Sequence, residues 1–404
     1  MILISHPHGN ANVRAVLDTL NRRQWLSHFI TTLGWSSENI LYRKLPSSLK
    51  KNLSRRTYHL KSHQLITHPT REAARLLAGK LGIKSWLQHE TGRASVDRIW
   101  QELDRYTAQH LKKHPAKGVY AYEDGALETF RTAKEKNIKC FYDLPIGYFE
   151  TAQKIFVEER DLFPELASTL TGLQDSSQKL VRKKEEAEMA DVILASSPFV
   201  KTTLLDAGFS NEKIQVVQFG CPSLPSFRKS EAKRPLRVLF VGRIGQRKGI
   251  GYLLKAIQQL PQIELWMLGV LEGSPEVWQP FRSSFKYLSP RPHAEVLEIM
   301  QQCDVFVLPS LFEGQALVVL EAMACGLPVI VTPNTGTAHL IEEGKNGFVV
   351  PIRSTQALIE KLLFFEQNRD AIFNMSLQAK KKASKVTWDF YQEQITSIIQ
   401  PHLI

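Results

Sequence analysis

The chain has 404 residues, with 52 Lys and Arg against 40 Asp and Glu and a formal net charge of +12 at pH 7. That length exceeds what one hydrophobic core organises and predicts two domains. A hydrophobic content of 43% with 9% aromatics is ordinary for a globular protein, and the positive balance predicts an anionic partner: a nucleotide, a membrane surface or nucleic acid. No run of about 18 apolar residues occurs, so no membrane-spanning helix is expected. The first residues start directly as a strand, and no signal peptide is indicated. Cys140, Cys221, Cys303 and Cys325 are scattered with no C-x-x-C pair, which reads as reduced cytosolic thiols rather than disulfides or zinc ligands.

Ile2 to Ser5 reads as the first strand, followed by the loop His6-Pro7-His8-Gly9-Asn10-Ala11-Asn12 and a helix from Val13 to Arg22. A loop in that place points into the crevice at the carboxyl ends of an α/β sheet. Gly9 lets the backbone approach a ligand, and His6 and His8 are either acid or phosphate contacts or plain loop polar groups. Leu41 to His63 is dense in base, with Arg43, Lys44, Lys50, Lys51, Arg55, Arg56 and Lys61 among leucines at roughly helical spacing. Such a segment suits an anionic membrane surface or a solvated helix face. Only Tyr42 and Tyr58 are available there for stacking, so nucleic acid is not expected as a partner.

Gly118 to Tyr122 reads as a strand ending at Glu123-Asp124-Gly125, and Lys139 to Tyr142 as a strand ending at Asp143. Carboxylates at successive strand ends are placed for acid–base work or for accepting hydroxyls, although taken singly such residues more often cap helices or stand in turns. Glu150 to Ala190 is charged and helical, in one piece or more. Val192 to Ala195 is a strand closed by Ser196-Ser197-Pro198, and Ile214 to Gln218 another. Cys221 to Lys233, rich in Pro and Ser, reads as a linker. The α/β alternation then restarts with the strand Val238 to Val241. The fold expected is α/β, with two doubly wound domains facing each other.

Two stretches in the second half carry chemistry. Gly242-Arg243 to Lys248-Gly249 places long cations on a glycine-flanked loop at a strand's carboxyl end, able to clamp a diphosphate. It is neither a Walker A loop nor G-x-G-x-x-G. Leu308 to Leu320 then reads strand, turn, helix, with Glu313 in the turn and Glu321 two helical turns further on. Free N–H groups at the helix start suit phosphate, and the two carboxylates suit a polyhydroxylated ligand. A plain βα unit, with Glu313 answering the helix dipole and Glu321 solvated, is the alternative.

Together the stretches resemble the retaining, nucleotide-sugar-dependent glycosyltransferases of the GT-B type, in particular family 4 (glycosyl transferases group 1). The Gly-Arg…Lys-Gly loop at 242–249, Pro-Ser…Phe-Glu-Gly at 309–314 and the E-x7-E spacing from Glu313 to Glu321 carry the likeness, extended by Gly326-Leu327-Pro328-Val329-Ile330 with Gly336 and Gly347. The resemblance implies a hexose moved from an NDP-sugar to a glycan or lipid-linked acceptor with retention of configuration, the leaving phosphate itself accepting the acceptor's proton. It implies residues 1–222 as the acceptor-side domain, 234–387 as the donor domain, and a last helix, 388–404, packing back on the first. By it Arg243 and Lys248 bind and neutralise the diphosphate, Gly242 shapes that loop, Glu313 contacts the transferred sugar, the backbone of Gly314, Gln315, Ala316 and Leu317 holds phosphate, and Glu321 binds ribose. Gly9 and Asn10 close over the donor. The chain departs from the family's pattern after the first strand, where His8-Gly9-Asn10 replaces two adjacent glycines. It departs also where relatives carry a His near the sugar; the matching place is Tyr142-Asp143, and Asp143 is the candidate there. No cofactor and no metal site is expected, since no D-x-D pair occurs. The partners implied are a nucleotide-sugar, a glycan or lipid-linked acceptor and an anionic membrane touched peripherally, which would make the protein cytoplasmic, at the inner face of a membrane. A degenerate scaffold of the same fold, or another NDP-sugar enzyme such as an epimerase, is the rival reading.

Overall fold

The computed structural model describes residues 1–39, 42, 44, 46, 50, 53–221 and 234–403. Residues 222–233 of the linker expected from Cys221 to Lys233, and Arg43, Leu45, Leu49 and Lys51 of the basic stretch, lie outside the described residues.

The first half builds a parallel sheet with helices on both faces. In chain order it comprises β1 (Ile2–Ser5), α1 (Ala11–Arg22), β2 (Leu26–Thr31), β3 (Trp35–Ser36), β4 (Thr57–Tyr58), β5 (Leu65–Thr67), α2 (Thr70–Leu81), α3 (Lys84–Leu87), α4 (Val96–Lys113), β6 (Gly118–Tyr122), α5 (Leu127–Glu135), β7 (Lys139–Leu144), α6 (Phe149–Leu162), α7 (Ser177–Met189), β8 (Val192–Ala195), α8 (Pro198–Asp206) and β9 (Ile214–Val216). The strand order is β5-β2-β1-β6-β7-β8-β9, while β3 and β4 pair separately. β1, β6 and β8 are buried along their whole length, as parallel strands covered on both faces must be. The basic stretch is no continuous helix. Among its described residues, Ser54–Arg56 and Ser62–Gln64 make single 3-10 turns with β4 between them.

The second sheet is also parallel, in the order β12-β11-β10-β13-β14-β15. It runs from β10 (Arg237–Val241) through α9 (Ile250–Ile257), β11 (Glu264–Leu268), β12 (Lys286–Leu288), α10 (His293–Met300), β13 (Val305–Leu308), α11 (Leu317–Ala324), β14 (Val329–Val331) and β15 (Gly347–Val349) to α12 (Thr355–Gln367) and α13 (Arg369–Ala383). The last helix, α14 (Trp388–Ile399), buries Tyr391, Ile395 and Ile399 in the first sheet's core beside Val13 and Val16 of α1. Two doubly wound sheets are thus present, as the alternation of elements implies.

The packing does not divide cleanly at residue 222. Ile155 and Phe156 of α6, with Phe163, Leu166 and Leu170 after it, share one buried cluster with β10, α9 and β13. The reason lies in the charged helical stretch, which breaks at Phe163-Pro164. Two 3-10 segments, Pro164–Thr169 and Thr171–Gln174, separate α6 from α7, so α6 packs against the second sheet and α7 against the first.

Candidate active site

The loops after β1, β6, β7 and β8 and those after β10 and β13 open at the carboxyl ends of their strands, where an open α/β sheet binds ligands. They meet. Ile146, after β7, bridges Gly314, after β13, in antiparallel fashion, and the Gly147 N–H donates to the Glu313 carbonyl at 3.0 Å. Ser197 Oγ, after β8, donates to the Gly314 carbonyl at 2.7 Å. Gly314 is required by this contact, because a Cβ would sit 1.7 Å from the Pro145 carbonyl oxygen.

Glu313 lies at that junction, 9% exposed. Its Oε1 accepts from both Lys248 Nζ and Arg247 Nη1. Burial lowers the Lys248 ammonium's pKa, and the Glu313 carboxylate pulls it back up. The loop holding Lys248 turns on Gly249, whose φ of 69° lies in the left-handed region and whose added Cβ would fall 2.0 Å from the Pro309 carbonyl oxygen. Gly242 likewise has a φ of 149°. Arg243 is largely exposed and is aimed by Glu272, Nε to Oε1 at 2.6 Å.

The same loop is fastened from α6. Glu159 is fully buried and accepts from Gln246 Nε2 at 2.7 Å, from the Tyr252 hydroxyl at 3.1 Å and from Arg353 Nε at 2.6 Å. Gln246 in turn accepts from the Gly251 N–H at the start of α9. Arg247, Glu272, Glu159 and Arg353 were not among the residues expected from the sequence. The glycine-flanked loop that marks Lys248 also contains Arg247 and could have signalled it. Glu159, deep in a charged helical stretch, carries no signal of its own.

Arg243, Arg247, Glu272 and Phe312 line a cavity of about 300 Å³ between the two halves, shared with Glu123 and Asp175 of the first. Lys183 joins those two carboxylates, at 3.5 Å from Glu123 and 3.3 Å from Asp175. Asp143, expected beside the transferred sugar, requires correction. It lies inside β7, 2% exposed, and accepts the Tyr120 hydroxyl at 2.7 Å. Burial pushes its carboxyl up to about 7. β7 runs two residues beyond the expected end at Tyr142, so Asp143 stays within the sheet and faces the first core.

The remaining site residues are dispersed. Gln315 reaches back to Phe219, its Oε1 accepting the backbone N–H at 2.6 Å and its Nε2 donating to the carbonyl at 3.2 Å. The Ala316 N–H donates to the Thr335 carbonyl. α11 starts at Leu317, leaving its first N–H groups without intrahelical partners. Glu321 faces His293, 2.9 Å away. Asn10 caps α1 by accepting the Val13 N–H, and Gly9 accepts Arg14 Nε. Gly9 and Asn10 line a separate cavity of about 420 Å³ with Arg14, Arg55 and Arg56, and no second-half residue lines it. His6 is buried edge-on to Tyr122 and accepts the His8 N–H; burial holds its pKa down at about 3, so it stays neutral.

Two facing Rossmann-like domains with a cationic loop and a carboxylate-bearing helix start at their junction define the GT-B fold. Residues 235–368, within the second domain, match the family described as Glycosyl transferases group 1. Among curated relatives, a putative colanic acid biosynthesis glycosyltransferase, WcaL of Salmonella typhimurium, is 29% identical over 234 residues, 52% of this chain and 56% of its own length. The amylovoran biosynthesis glycosyltransferase AmsK of Erwinia amylovora is 28% identical over 48% of this chain and 51% of its own. The chain thus spans about half the length of these relatives. Among solved structures, sucrose-phosphate synthase of Thermosynechococcus elongatus superposes with a TM-score of 0.66 at 16% identity, covering 100% of this chain and 98% of that one. HepE of Anabaena, solved in complex with UDP and glucose, gives 0.63 at 18% identity over 99% of both chains.

Proposed function

We propose that the chain is a glycosyltransferase that moves a hexose from an NDP-sugar to a glycan or lipid-linked acceptor, with retention and without a metal. The observation that carries this reading is the buried Glu313 carboxylate held by Lys248 and Arg247 where the two domains touch. A departing nucleoside diphosphate develops charge, and fixed cations with helix N–H groups stabilise it without reorganisation. Arg243 and Lys248 take the diphosphate, with Arg247 beside them and the α11 start, Gly314 to Leu317, behind it. Glu313 accepts sugar hydroxyls and Glu321 the ribose hydroxyls. Gly9 and Asn10 approach from the first domain, the acceptor side. Glu123 takes the place that Asp143 was expected to hold, since it reaches the interdomain cavity. Relatives named for colanic acid and amylovoran biosynthesis make an exopolysaccharide intermediate the acceptor of first choice.

The test is a thermal-shift panel of UDP, GDP, ADP and their sugar conjugates, with UDP first because HepE was solved with it. A ligand that binds only the folded state at a hundredfold its Kd adds about 2.7 kcal/mol of apparent stability. One nucleotide should raise the midpoint, and Lys248→Ala should abolish the rise. No response to any of them would overturn the donor site and leave the catalytically degenerate scaffold.

A further inference from the structure

A second cluster of chemistry-bearing side chains lies in the first domain and shares no residue with the donor loop. His89 and Glu90 follow α3, Asp97 stands in the first turn of α4, and Asp175 precedes α7. His89 Nε2 lies 3.1 Å from Asp175 Oδ1 and 3.4 Å from Glu90 Oε1. One imidazole nitrogen and one oxygen from each of these two carboxylates all lie within 4.8 Å of one another. On the other side of the ring, His89 Nδ1 faces Asp97 Oδ2 at 3.4 Å. A neutral imidazole carries one N–H. With that proton on Nδ1, toward Asp97, the Nε2 lone pair meets two oxygens that also offer only lone pairs. A cation, either a second ring proton or a metal ion, has to stand between them.

The surroundings favour a divalent charge. Lys179 Nζ is shared by Asp97 at 2.8 Å, Asp175 at 3.0 Å and Asp124 at 3.8 Å, and Lys183 by Asp175 and Glu123. With Glu90, five carboxylates thus face two ammoniums, and partial burial raises the cost of the unbalanced charge. The oxygens are also held in place. Asp97 Oδ2 accepts the Glu90 N–H at 3.0 Å, and the Glu90 carboxylate accepts the Ser176 N–H at 2.8 Å and the Ser176 hydroxyl at 2.5 Å. A carboxylate behind an imidazole, fixing its tautomer and aiming its other nitrogen, is the arrangement by which proteins orient a histidine toward a metal.

We infer that His89, Glu90 and Asp175 form a site for a divalent transition metal, with Asp97 orienting the imidazole. One nitrogen and two carboxylate oxygens suit Zn²⁺ or Mn²⁺, with water completing the shell. The site takes no part in the chemistry proposed for the donor, since no residue of the 242–249 loop or of the α11 start belongs to it. Its place in the fold gives it a mechanical role. Asp175 stands where the chain passes from the 3-10 segments beside α6, on the second core, to α7 on the first, and it also lines the interdomain cavity. A metal there ties that crossing to the turn between α3 and α4 and fixes one wall of the cavity. His89 and Asp175 are 86 positions apart, so no local spacing marks them as a set. The inference does not need the transferase reading, because metal binding is measured without turnover.

The experiment is calorimetric titration of the full chain, stripped with EDTA and dialysed, with Zn²⁺ and Mn²⁺, and with Co²⁺ as a visible probe of coordination. Four variants are compared: His89→Ala, Glu90→Gln, His114→Ala and Lys248→Ala. His89 and His114 are exposed, so both alanine variants should keep the wild-type circular dichroism. The wild type should take one metal ion per chain, melt several degrees higher with it, and give a Co²⁺ absorption band. His89→Ala should weaken binding at least about hundredfold and Glu90→Gln at least about tenfold. His114→Ala removes an imidazole from the separate His28–His110–His114 group and should bind as wild type. The four cysteines are buried and do not compete. A wild type that binds neither Zn²⁺ nor Mn²⁺, or a His89→Ala variant that binds as tightly as the wild type, would overturn the inference and leave an imidazolium ion pair. An equal loss in His114→Ala would overturn it in favour of surface histidines at large. Lys248→Ala should keep the metal whatever its response to UDP, which separates this result from the test of the donor site.

Discussion

Lys248 and Arg247 reach the same oxygen of Glu313, so that carboxylate competes with any phosphate seeking those cations. Glu313→Gln keeps the shape and removes the competing charge. Nucleoside diphosphate should bind several-fold more tightly to the variant, while turnover falls by about 10²–10³, the usual cost of losing one fixed electrostatic partner in a transition state. Calorimetric titration against UDP and a donor-consumption assay read the two effects separately; weaker nucleotide binding would sink the competition. Asp143 makes a pH prediction. Its carboxyl titrates at about 7 in the fold, against an ordinary value near 4, so the folded state holds a proton that the unfolded chain has lost. Stability from this group is complete below pH 4 and is lost as the pH climbs through 7. Glu186, pushed up to about 8 by burial, has the same sign, so the difference between wild type and Asp143→Asn isolates Asp143. The urea midpoint of the variant should gain on the wild type between about pH 4 and pH 7 and level off above that. The loop that carries Arg243 and Lys248 and the turn that carries Glu313 were legible because glycine and proline bracket them. Asp143 was misjudged because β7 continues through Leu144 and keeps it inside the sheet, and composition does not mark that end.

At the scale of elements, the phosphate loop is shaped by a helix from the other half of the sequence. Glu159 of α6 gathers Gln246, Tyr252 and Arg353, and Gln246 passes that restraint to the start of α9. Glu159→Ala leaves these donors buried without an acceptor, at about 1–3 kcal/mol for an unsatisfied group. The 242–249 loop should loosen, with faster amide exchange at Gln246 to Gly251 and weaker nucleotide binding, although α6 itself carries no ligand contact. Unchanged exchange would show that the loop holds its own shape. Strands rich in Val, Ile and Leu were legible by their apolar runs, as at 238–241 and 305–308. β2, which opens Leu26-Ser27-His28, and the helices from Thr70 to Lys113 were not. Polar residues interrupt the first, and the outward leucines of α2 blur the contrast that marks a buried face.

At the scale of the whole molecule, backbone groups around Gly314 help to hold the two domains shut. The Ile146–Gly314 bridge, the Gly147–Glu313 hydrogen bond and the Ser197–Gly314 hydrogen bond all cross one small contact. Gly314→Ala cannot keep that contact, since its methyl group would overlap the Pro145 carbonyl. The variant should melt as two intact domains yet scatter X-rays as a more open particle, with turnover down about 10²-fold because misplaced groups lose their alignment. A scattering profile identical to wild type would count against a closed resting state. The facing of two sheets was legible from the repeated alternation of strands and helices. The allotment of α6 to the second core was not, because it depends on a break at Phe163-Pro164 that only packing reveals.

The return of α14 to the first domain has a mechanical meaning. The passage after β9 and the return before Trp388 run side by side: Cys221 bridges Thr387, and its N–H donates to the Val386 carbonyl at 2.7 Å. Gly220 permits the approach, since a methyl group there would lie 2.3 Å from the Trp388 nitrogen. A paired joint of this kind can swing but not slide. Rotation about an axis through residues 220 and 387 leaves both passages unstretched, whereas translation along the cleft must tear the bridge. The joint therefore favours swinging over sliding, and the same swing that parts Gly314 from Ile146 brings them back in register.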